Sequence, residues 1–364
     1  MSKNSTVLHE TKALISLSNL DHNFKYLRSL TGHNTHILFV VKADAYGHKA
    51  ELLIPVAEKF ADWYGVATVK EAVELRKANA KQPILVFEPV NESTISHYEA
   101  HQLAAVVGSF TELEILPQNI SFHLEFDTGM GRLGFYAKDW KSLKSKLIEK
   151  KIKPSGYMTH FADADEPNSP KTHHQLGIFH ALADEFRSFA PEAILHASNS
   201  GGLLNYPDAQ FDMVRPGISV YGYHPAGADS PLKPVLSLLS YLIAVKPIKK
   251  GMAVSYLSKW KAEKDGYVGV IPVGYADGIP RSLSNKIQVN TAGKMLNQVG
   301  VITMDYMMVF SEEPLTVGSE VELLGPNSML ADSWAKIAGT IPYEILTGIH
   351  PKIKRESIEL NNKY

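Results

Sequence analysis

The chain has 364 residues, of which 45% are hydrophobic, with a formal net charge of -1 and no cysteine. This length and apolar content suffice for two folded domains. The charge balance provides no broad basic surface for nucleic acid or anionic lipid, and the lack of cysteine excludes disulfides and thiolate metal sites. We therefore expect no metal site and no nucleic-acid partner, but a small-molecule ligand or a second copy of the chain.

The opening segment MSKNSTVLHETK is polar and lacks the apolar core of a secretory signal. No apolar run approaches the ~20 residues that a membrane-spanning helix requires. These patterns predict a cytoplasmic protein without a membrane segment.

The first half of the chain alternates strand-like and helical patterns. A short strand-like run at Ala13–Leu17 comes first, and helical stretches such as Thr68–Ala80 and Gln175–Phe189 separate the later runs. About eight such units predict an α/β fold with an N-terminal (β/α)8 TIM-type barrel. The strand-like runs are Ile37–Val41, Tyr64–Ala67, Ile84–Phe87, Ala104–Val107, Ser121–Phe126, Ser155–His160, Ile194–Ala197 and Phe211–Val214.

The alternation of strand-like and helical segments stops after about Pro231. From there, strand-like segments follow one another with Gly, Pro and Asn turns and no long helices between them. This pattern predicts a mostly β C-terminal domain. The expected organisation is an N-terminal tail over residues 1–12, the barrel domain over 13–232 and the β-rich domain over 233–364.

Lys42 directly follows the apolar run of the first barrel strand, which is an unusual place for a cation. Desolvation there lowers the pKa of an ammonium and favours the neutral amine that can form a Schiff base with a carbonyl cofactor. Considered alone, a lysine at a strand end more commonly extends its ammonium group to solvent than acts as a reactive amine.

Other polar residues share this position at the ends of the predicted strands. Barrel enzymes build their active sites at the carboxyl ends of their strands, so these residues are candidates for one site. They are Lys42, Arg132, His160, Asn199, Ser200 and Arg215.

The segment GMGRLG, from Gly129 to Gly134, matches the dinucleotide pattern G-x-G-x-x-G. A dinucleotide site requires a helix directly after the strand, so that the pyrophosphate meets the helix N-terminus. Here the next helix is expected only near Lys138. We interpret the segment as a ligand-facing loop, not as a dinucleotide site.

The segment KADAYGH, from Lys42 to His48, resembles the pyridoxal-phosphate lysine motif of the alanine racemase family. Further segments match the family in its own order over nearly the whole chain. They are MGRLGF from Met130, THFADADE from Thr159, HASNS from His196, RPGISVYG from Arg215, VSY from Val254, GYADGIPR from Gly274, MD at Met304 and IPYEILTGIHPKIKR from Ile341.

The resemblance implies a pyridoxal 5'-phosphate enzyme in which Lys42 carries the cofactor and serves the D-side proton, while Tyr256 serves the L-side proton. It further implies a head-to-tail homodimer in which Tyr256, Tyr275, Met304 and Asp305 reach the active site of the other subunit, and an N-terminal strand that pairs with the second domain. Residues that would bind the cofactor, mostly at its phosphate, are Tyr46, Asn199, Ser200, Gly217, Ile218 and Tyr343.

By the same resemblance, Arg215 faces the pyridine nitrogen of the cofactor, with His160 and His196 as its orienting partners. A permanent cation disfavours protonation of that nitrogen, which limits side reactions such as transamination. Arg132 would contact the substrate carboxylate through its planar guanidinium, and the Met304 main-chain N–H would be a second donor.

Two positions depart from the family pattern. Thr303 stands where many relatives have cysteine, a small change. Glu125 stands where many carry a carbamylated lysine, seven residues before Arg132. A carboxylate there could hold the Arg132 guanidinium directly through a bidentate contact. The alternative is an outward-facing glutamate without a partner.

The sequence thus predicts pyridoxal-phosphate-dependent racemisation of alanine by two bases, supplying D-alanine for peptidoglycan in a bacterial source. One alternative is a broad-specificity amino-acid racemase, because pocket volume cannot be read from sequence. A decarboxylase of the same fold would need a carboxylate in place of Arg215. A non-catalytic pyridoxal-phosphate carrier would generally lack the β domain that contains Tyr256.

Overall fold

The computed structural model describes residues 10–358. The chain divides into two compact units. One unit, here called the barrel unit, comprises Leu20–Ala45 and Leu53–Lys233, and the other, the β unit, comprises the chain up to Asn19, Tyr46–Leu52 and the chain from Pro234 onward. Within the described range, every helix is too short or too polar to cross a bilayer.

The first two elements are strand β1 (Lys12–Ser16) and helix α1 (Leu17–Ser29). The barrel unit then contains eight strands in one parallel sheet. These strands are β2 (His36–Val40), β3 (Trp63–Val66), β4 (Ile84–Val86), β5 (Leu103–Val107), β6 (Phe122–Glu125), β7 (Gly156–Met158), β8 (Ile194–His196) and β9 (Met213–Val214).

The sheet order is β8-β7-β6-β5-β4-β3-β2-β9, and every pairing is parallel. The Asp212 N–H donates to the Leu195 carbonyl at 3.0 Å, and the Arg215 N–H donates to the Ser198 carbonyl at 2.8 Å. These bonds join the β8 and β9 segments, so the predicted TIM-type barrel is confirmed. Buried strands such as β5, whose five residues are all buried, read as continuous apolar runs because both faces are covered.

Helices alternate with the barrel strands. In the helix α3 (Val69–Lys77) the Thr68 hydroxyl and the Glu71 carboxylate form a capping box, and Leu75 lies on the buried face. The helices after α1 are α2 (Ala50–Ala57), α3 (Val69–Lys77), α4 (Ile95–Ala100), α5 (Phe110–Ile115), α6 (Trp140–Lys150), α7 (Pro170–Phe189) and α8 (Ser200–Asn205).

The predicted element ends differ from the observed ones at several places. The helix predicted from Gln175 begins at Pro170, where Ser169 accepts from the Thr172 N–H and proline occupies the first turn. Several predicted elements are shorter than expected, because their ends leave the hydrogen-bonded ladder or helix for the adjoining loops; Ser121–Phe126, for example, is observed as Phe122–Glu125. Others are Ser155–His160, observed as Gly156–Met158, Phe211–Val214, observed as Met213–Val214, and Thr68–Ala80, observed as Val69–Lys77.

The β unit is built on a nine-stranded sheet, so the predicted mostly β second half is confirmed. Its order is β11-β14-β17-β16-β15-β18-β10-β1-β19, and β1 pairs antiparallel with β10 and parallel with β19. Its strands are β10 (Leu236–Tyr241), β11 (Ala244–Ile248), β14 (Gly266–Ile271), β15 (Gln288–Thr291), β16 (Lys294–Val299), β17 (Met307–Ser311), β18 (Glu320–Leu324) and β19 (Lys354–Ile358).

Between β11 and β14 lies a small hairpin of β12 (Ala253–Val254) and β13 (Trp260–Lys261). Two helices, α9 (Ala331–Ala338) and α10 (Pro342–Gly348), precede β19. The hairpin loop begins at Ser255 and presents Tyr256, which places the predicted L-side residue at an exposed turn.

Candidate active site

Lys42 begins an unusual turn at the carboxyl end of β2. Residues Ala43, Asp44 and Ala45 have φ angles of 52, 51 and 55°, in the left-handed region. Such a conformation costs roughly 1–2 kcal/mol for each residue with a Cβ atom, so the turn must be held by its surroundings. The Ala45 N–H donates to the Val41 carbonyl at 2.9 Å and closes the turn.

The surroundings of Lys42, which is exposed at the strand end, lower the pKa of its ammonium group. Desolvation lowers the pKa of Lys42, and the nearby Arg132 charge lowers it further, while the Glu71 carboxylate opposes both effects. A lysine with a lowered pKa can act as a nucleophile toward a carbonyl group and as a proton acceptor. The sequence interpretation of Lys42 as a reactive amine therefore agrees with its electrostatic environment.

Arg215 is almost completely buried, with 3% of its surface exposed. Its NH1 group donates to His196 Nδ1 at 2.9 Å, and its NH2 group donates to the Thr159 carbonyl at 2.7 Å and to the Ala197 carbonyl at 2.9 Å. His160 Nδ1 lies 3.5 Å from the same NH2 group. The structure thus brings both predicted orienting histidines to Arg215.

Burial lowers the pKa of Arg215 to about 10, against the attraction of Glu125, so the guanidinium remains a cation at neutral pH. Burial and the Arg215 charge lower the pKa of His160 to about 3 and hold the pKa of His196 well below its usual value. Both imidazoles are therefore neutral near pH 7 and present a ring nitrogen to Arg215 as an acceptor. Neither is an imidazolium that could act as a general acid near pH 7.

His123, in β6, extends this network and was not predicted from the sequence. Its Nδ1 atom lies 2.8 Å from His196 Nε2. Because Arg215 can only donate, His196 Nδ1 must accept, and His196 Nε2 must donate to His123. His123 is fully buried, and Gly156 leaves it room, since a Cβ atom at Gly156 would lie 2.5 Å from His123 Nδ1.

Hydroxyl and amide groups gather at the start of α8. Ser200 Oγ accepts from the Gly217 N–H at 2.9 Å and from the Ser219 hydroxyl at 3.0 Å, which leaves the Ser200 hydroxyl hydrogen to donate elsewhere. The Asn199 side chain accepts from the Gly202 N–H at 2.9 Å and caps the helix. Within residues 10–358, the Ile218 N–H has no acceptor.

The predicted clasp between Glu125 and Arg132 is not formed. Glu125 is buried with 5% exposure at the end of β6, whereas Arg132 is exposed in the following loop. No cation of the described chain lies within ion-pair distance of the Glu125 carboxylate. Burial raises the pKa of Glu125, while the Arg132 and Arg215 charges oppose that rise. The outward-facing alternative does not fit this burial either.

In the β unit, Tyr46 packs against Tyr343 with ring centroids 5.7 Å apart. Tyr46 is buried, and burial raises its pKa, so its hydroxyl is protonated near pH 7. The adjoining Gly47 has a φ of 80°, and a Cβ atom there would lie 2.5 Å from the Leu346 carbonyl oxygen of α10. This close approach requires glycine and holds the two tyrosines together.

Arg355 in β19 fixes the same turn. Its guanidinium donates to the Gly47 carbonyl at 3.0 Å, and to the carbonyls of Ile349, His350 and Ile353 at 2.7, 2.7 and 2.6 Å. The match of IPYEILTGIHPKIKR to the family segment thus has a structural basis, because its last arginine anchors the backbone beside Tyr46.

A second group of predicted residues lines one cavity of about 530 Å³ in the β unit. Its lining includes Tyr256, Tyr275, Met304 and Asp305. The Tyr275 N–H donates to the Thr303 carbonyl at 3.0 Å, which joins the two loops. The Met304 N–H has no acceptor within the described part of the chain, so it is available to a ligand.

The donor set fits pyridoxal phosphate. Arg215 is a buried cation whose Nε–H has no acceptor among the described residues, and an aromatic ring nitrogen would supply one. Ser200 and Ile218 offer hydroxyl and amide donors of the kind that bind phosphate. Lys42 offers an amine for an aldehyde. The fold and these groups define a (β/α)8-barrel protein with a lysine amine and a buried arginine at the carboxyl ends of its strands.

Comparisons with known proteins identify the family. The model described as alanine racemase, N-terminal domain, matches residues 15–225, and the model described as alanine racemase, C-terminal domain, matches residues 235–357. The chain therefore belongs to the alanine racemase family.

Individual relatives match over nearly their whole length. An alanine racemase described as catabolic, from Pseudomonas putida, is 38% identical and covers 94% of this chain and 97% of its own. The alanine racemase of Chlorobaculum tepidum is 36% identical and covers 95% of this chain and 94% of its own. A crystal structure of alanine racemase from Bartonella henselae with covalently bound pyridoxal phosphate has a TM-score of 0.86 at 27% identity, covering 96% of this chain and 100% of that one.

Proposed function

We propose that this protein interconverts L-alanine and D-alanine with pyridoxal 5'-phosphate as its cofactor. The observation that carries the proposal is the position of Lys42 at the carboxyl end of a barrel strand. Desolvation and the nearby Arg132 charge lower the pKa of its amine there. When bound, the cofactor withdraws electrons from the substrate's α-carbon and so acidifies its α-hydrogen.

Lys42 would hold the cofactor covalently through its amine. Tyr46, Ser200, Ile218 and Tyr343 would hold the phosphate, with Asn199 ordering the helix start. Gly217, which the sequence also predicts at the phosphate, donates its N–H to Ser200 in the structure and so would support the Ser200 hydroxyl. The protonated hydroxyl of Tyr46 is a hydrogen-bond donor suited to a phosphate.

Arg215 would contact the ring nitrogen of the cofactor and keep it unprotonated, because the guanidinium remains charged and the histidines near it are neutral. His196 and His160 would fix the plane of the guanidinium. Such a cation limits electron withdrawal into the ring, which favours rapid return of the proton over transamination.

Proton transfer would use two residues on opposite faces of the α-carbon. In the L-to-D direction, the partner subunit's Tyr256 takes the α-proton through its phenolate oxygen, and protonated Lys42 donates a proton to the other face. The reverse reaction begins with neutral Lys42 and a protonated Tyr256 hydroxyl. Arg132 would bind the substrate carboxylate, and the Met304 N–H of the partner would add a donor.

We further propose a homodimer whose active sites are shared between subunits. The β unit exposes large side chains around the Tyr256 hairpin, which is unusual for a surface that remains in water. The exposed fractions are 53% for Met252, 67% for Tyr256, 74% for Leu257, 53% for Met304 and 47% for Tyr306. A second subunit covering this face would bring Tyr275 and Asp305 to the substrate entrance.

The test is to incubate the purified protein with a panel of L-amino acids and to resolve the products by chiral chromatography. Equal final amounts of the two alanine enantiomers, from either starting enantiomer, are expected. Failure to form D-alanine would contradict the proposal. Release of carbon dioxide and an amine would identify a decarboxylase, and comparable kcat/KM for several amino acids would identify a broad-specificity racemase.

The proposed physiological role is cytoplasmic supply of D-alanine for peptidoglycan. Two experiments check it: complementation of a bacterial strain that requires D-alanine for growth, and cell fractionation with antibody detection. Growth without added D-alanine is expected, together with recovery of the protein in the soluble fraction.

A further inference from the structure

The Glu71 carboxylate contacts the turn that follows Lys42, although Glu71 lies in the first turn of the next helix, α3. Its Oε1 atom accepts a hydrogen bond from the Ala43 N–H at 2.7 Å. Its Oε2 atom accepts from the Ala67 N–H at 2.7 Å and from the Thr68 N–H at 3.3 Å. One carboxylate therefore joins the loop after β2 to the loop after β3.

Helix capping alone does not account for the Glu71 arrangement. A comparable cap occurs at α5, where Glu112 Oε2 accepts from the Gly108 N–H at 3.3 Å and Oε1 accepts from the Ser109 hydroxyl at 2.6 Å. Both oxygens of Glu112 thus serve its own loop. Glu71 instead commits one oxygen to the residue that directly follows Lys42.

This bond matters because of the strained backbone at Lys42. Ala43 has a φ of 52° and a ψ of 48°, a conformation that residues with a Cβ atom keep only when neighbouring contacts enforce it. The Val41 N–H donates to the Gly65 carbonyl at 2.8 Å, which fixes the residue before Lys42. Together with the bond from Ala43 to Glu71, this anchors the backbone on both sides of Lys42.

We propose that Glu71 is a positioning residue for racemisation, holding the Lys42 turn so that the amine reaches the D-side face of the substrate's α-carbon. The inference rests on the proposed function, because it assigns the D-side proton to Lys42. Glu71 acts through the backbone at Ala43 and through its charge, which opposes the lowering of the Lys42 pKa. A displacement of a reacting group by about 1 Å can reduce a rate on the order of 100-fold, so a modest relaxation of this turn is sufficient to affect catalysis.

The discriminating variant is Glu71→Gln, which preserves size but keeps a single acceptor oxygen, so it can bond to the Ala43 N–H or to the Ala67 and Thr68 N–H groups but no longer joins the two loops. Glu74→Gln is the matched control, because Glu74 lies on the same helix, is exposed and loses the same charge. The measurement is the rate of α-hydrogen exchange in deuterated water, started separately from D-alanine and from L-alanine, together with the KM for alanine.

In Glu71→Gln, exchange from D-alanine is expected to slow about tenfold, while exchange from L-alanine slows much less and the KM stays near the wild-type value. Glu74→Gln should match the wild type in all three quantities. A generally loosened fold would slow both directions alike, so the asymmetry separates positioning from a merely structural role.

Equal slowing from both enantiomers, or exchange from D-alanine indistinguishable from that of Glu74→Gln, overturns the proposal. If Glu71→Gln shows no cooperative melting transition, Glu71→Asp replaces it, since aspartate retains the charge but is one methylene too short to reach Ala43. The same asymmetry is expected there, and its absence would also overturn the proposal. Failure of the proposed function is distinct, because the wild-type enzyme itself would then neither racemise nor exchange alanine.

Discussion

The two units present their candidate catalytic groups in opposite ways. In the barrel unit, Arg215 is 3% exposed and each of its contacts with His196, Thr159 and Ala197 is a hydrogen bond of 2.9 Å or less. In the β unit, Tyr256 is 67% exposed in the loop that joins the short strands β12 and β13. Arg215 is thus already desolvated and hydrogen-bonded within its own unit, whereas Tyr256 is exposed to solvent.

Under the proposed function, this difference assigns the cofactor groups to the barrel unit and the L-side proton to the β unit. Desolvation and the Arg132 charge lower the pKa of Lys42 within one chain. In the proposed dimer, a second subunit would cover the hairpin and desolvate Tyr256. The following predictions test that division, beginning with the largest expected effect.

Lys42→Ala should abolish racemisation in both directions, a loss on the order of 10⁴-fold or more, because it removes both the cofactor's covalent partner and the D-side proton carrier. Chiral chromatography measures the activity, and the visible absorbance of the bound cofactor reports the lysine linkage. Lys49→Ala, an exposed lysine, serves as the control. Retention of the wild-type absorbance band in Lys42→Ala would refute the assignment.

Tyr256→Ala should reduce α-hydrogen exchange from L-alanine on the order of 10³-fold and affect exchange from D-alanine far less. Deuterium incorporation measured separately from each enantiomer checks this. Equal losses from the two enantiomers would leave Tyr256 as a structural residue of the hairpin.

Mixing the inactive Lys42→Ala and Tyr256→Ala proteins should restore activity if Tyr256 acts on the other subunit. With random exchange, half of the dimers are mixed and one of their two sites is complete, so about a quarter of the wild-type activity is expected. Mass spectrometry of differently tagged subunits confirms the exchange. No recovery after proven exchange would place Tyr256 and Lys42 of one chain in the same site.

Arg215→Glu should reduce racemisation roughly 10- to 100-fold and produce pyruvate from L-alanine by transamination. A carboxyl group buried at this position would remain protonated and could donate to the cofactor ring, reversing the effect of the cation. Pyruvate is measured with a coupled dehydrogenase, and melting temperature verifies folding. Unchanged partition between racemisation and transamination would contradict the role of Arg215.

Glu125→Gln should have the smallest effect on catalysis, with a KM for alanine within about threefold of the wild type, because no contact between Glu125 and Arg132 is formed. A larger rise in the KM, with kcat unchanged, would show that the clasp forms when substrate binds. Activity measured with and without added bicarbonate provides the comparison with relatives that carry a carbamylated lysine, and no dependence is expected.

The same variant should change stability with a definite pH dependence. Burial raises the pKa of Glu125 in the folded state, so its contribution to stability is fully present below its unfolded pKa near 4.3 and is lost as pH rises through the folded value. Glu125→Gln should therefore melt at a higher temperature than the wild type at pH 8, with no such gain near pH 4. Identical differences at both pH values would exclude this cause.

The barrel and the positions of Lys42 and Arg215 could be predicted from sequence, because apolar runs end where strands end and the matched segments continue from there. His123 could have been noticed, since it lies two residues before Glu125 on β6 and therefore on the same face of the strand. A lone histidine in an apolar strand nevertheless gives no indication of a partner 73 residues away.

Other features could not be predicted, for identifiable physical reasons. The left-handed turn of KADAY contains no glycine, so nothing in its composition signals positive φ angles. The Thr68 and Glu71 spacing signals a helix start but not the bond to Ala43. The predicted contact between Glu125 and Arg132 is not formed in the described structure. The distance between a strand end and a loop residue depends on the loop's conformation, which sequence spacing does not reveal.

The pairing of β1 with β19 affects the order in which contacts form while the chain is synthesised. Lys12 pairs with Lys354, and the Arg355 guanidinium bonds to the Gly47 carbonyl across 308 positions of sequence. During synthesis the first strand and the turn beside Tyr46 thus lack these partners until Lys354 and Arg355 have left the ribosome. The barrel strands from β2 to β8 pair with their neighbours in sequence, and only the closing pair of β2 with β9 joins distant segments. A nascent chain can pair most of its barrel strands early, but the backbone that presents Tyr46 is secured only after Arg355 has emerged.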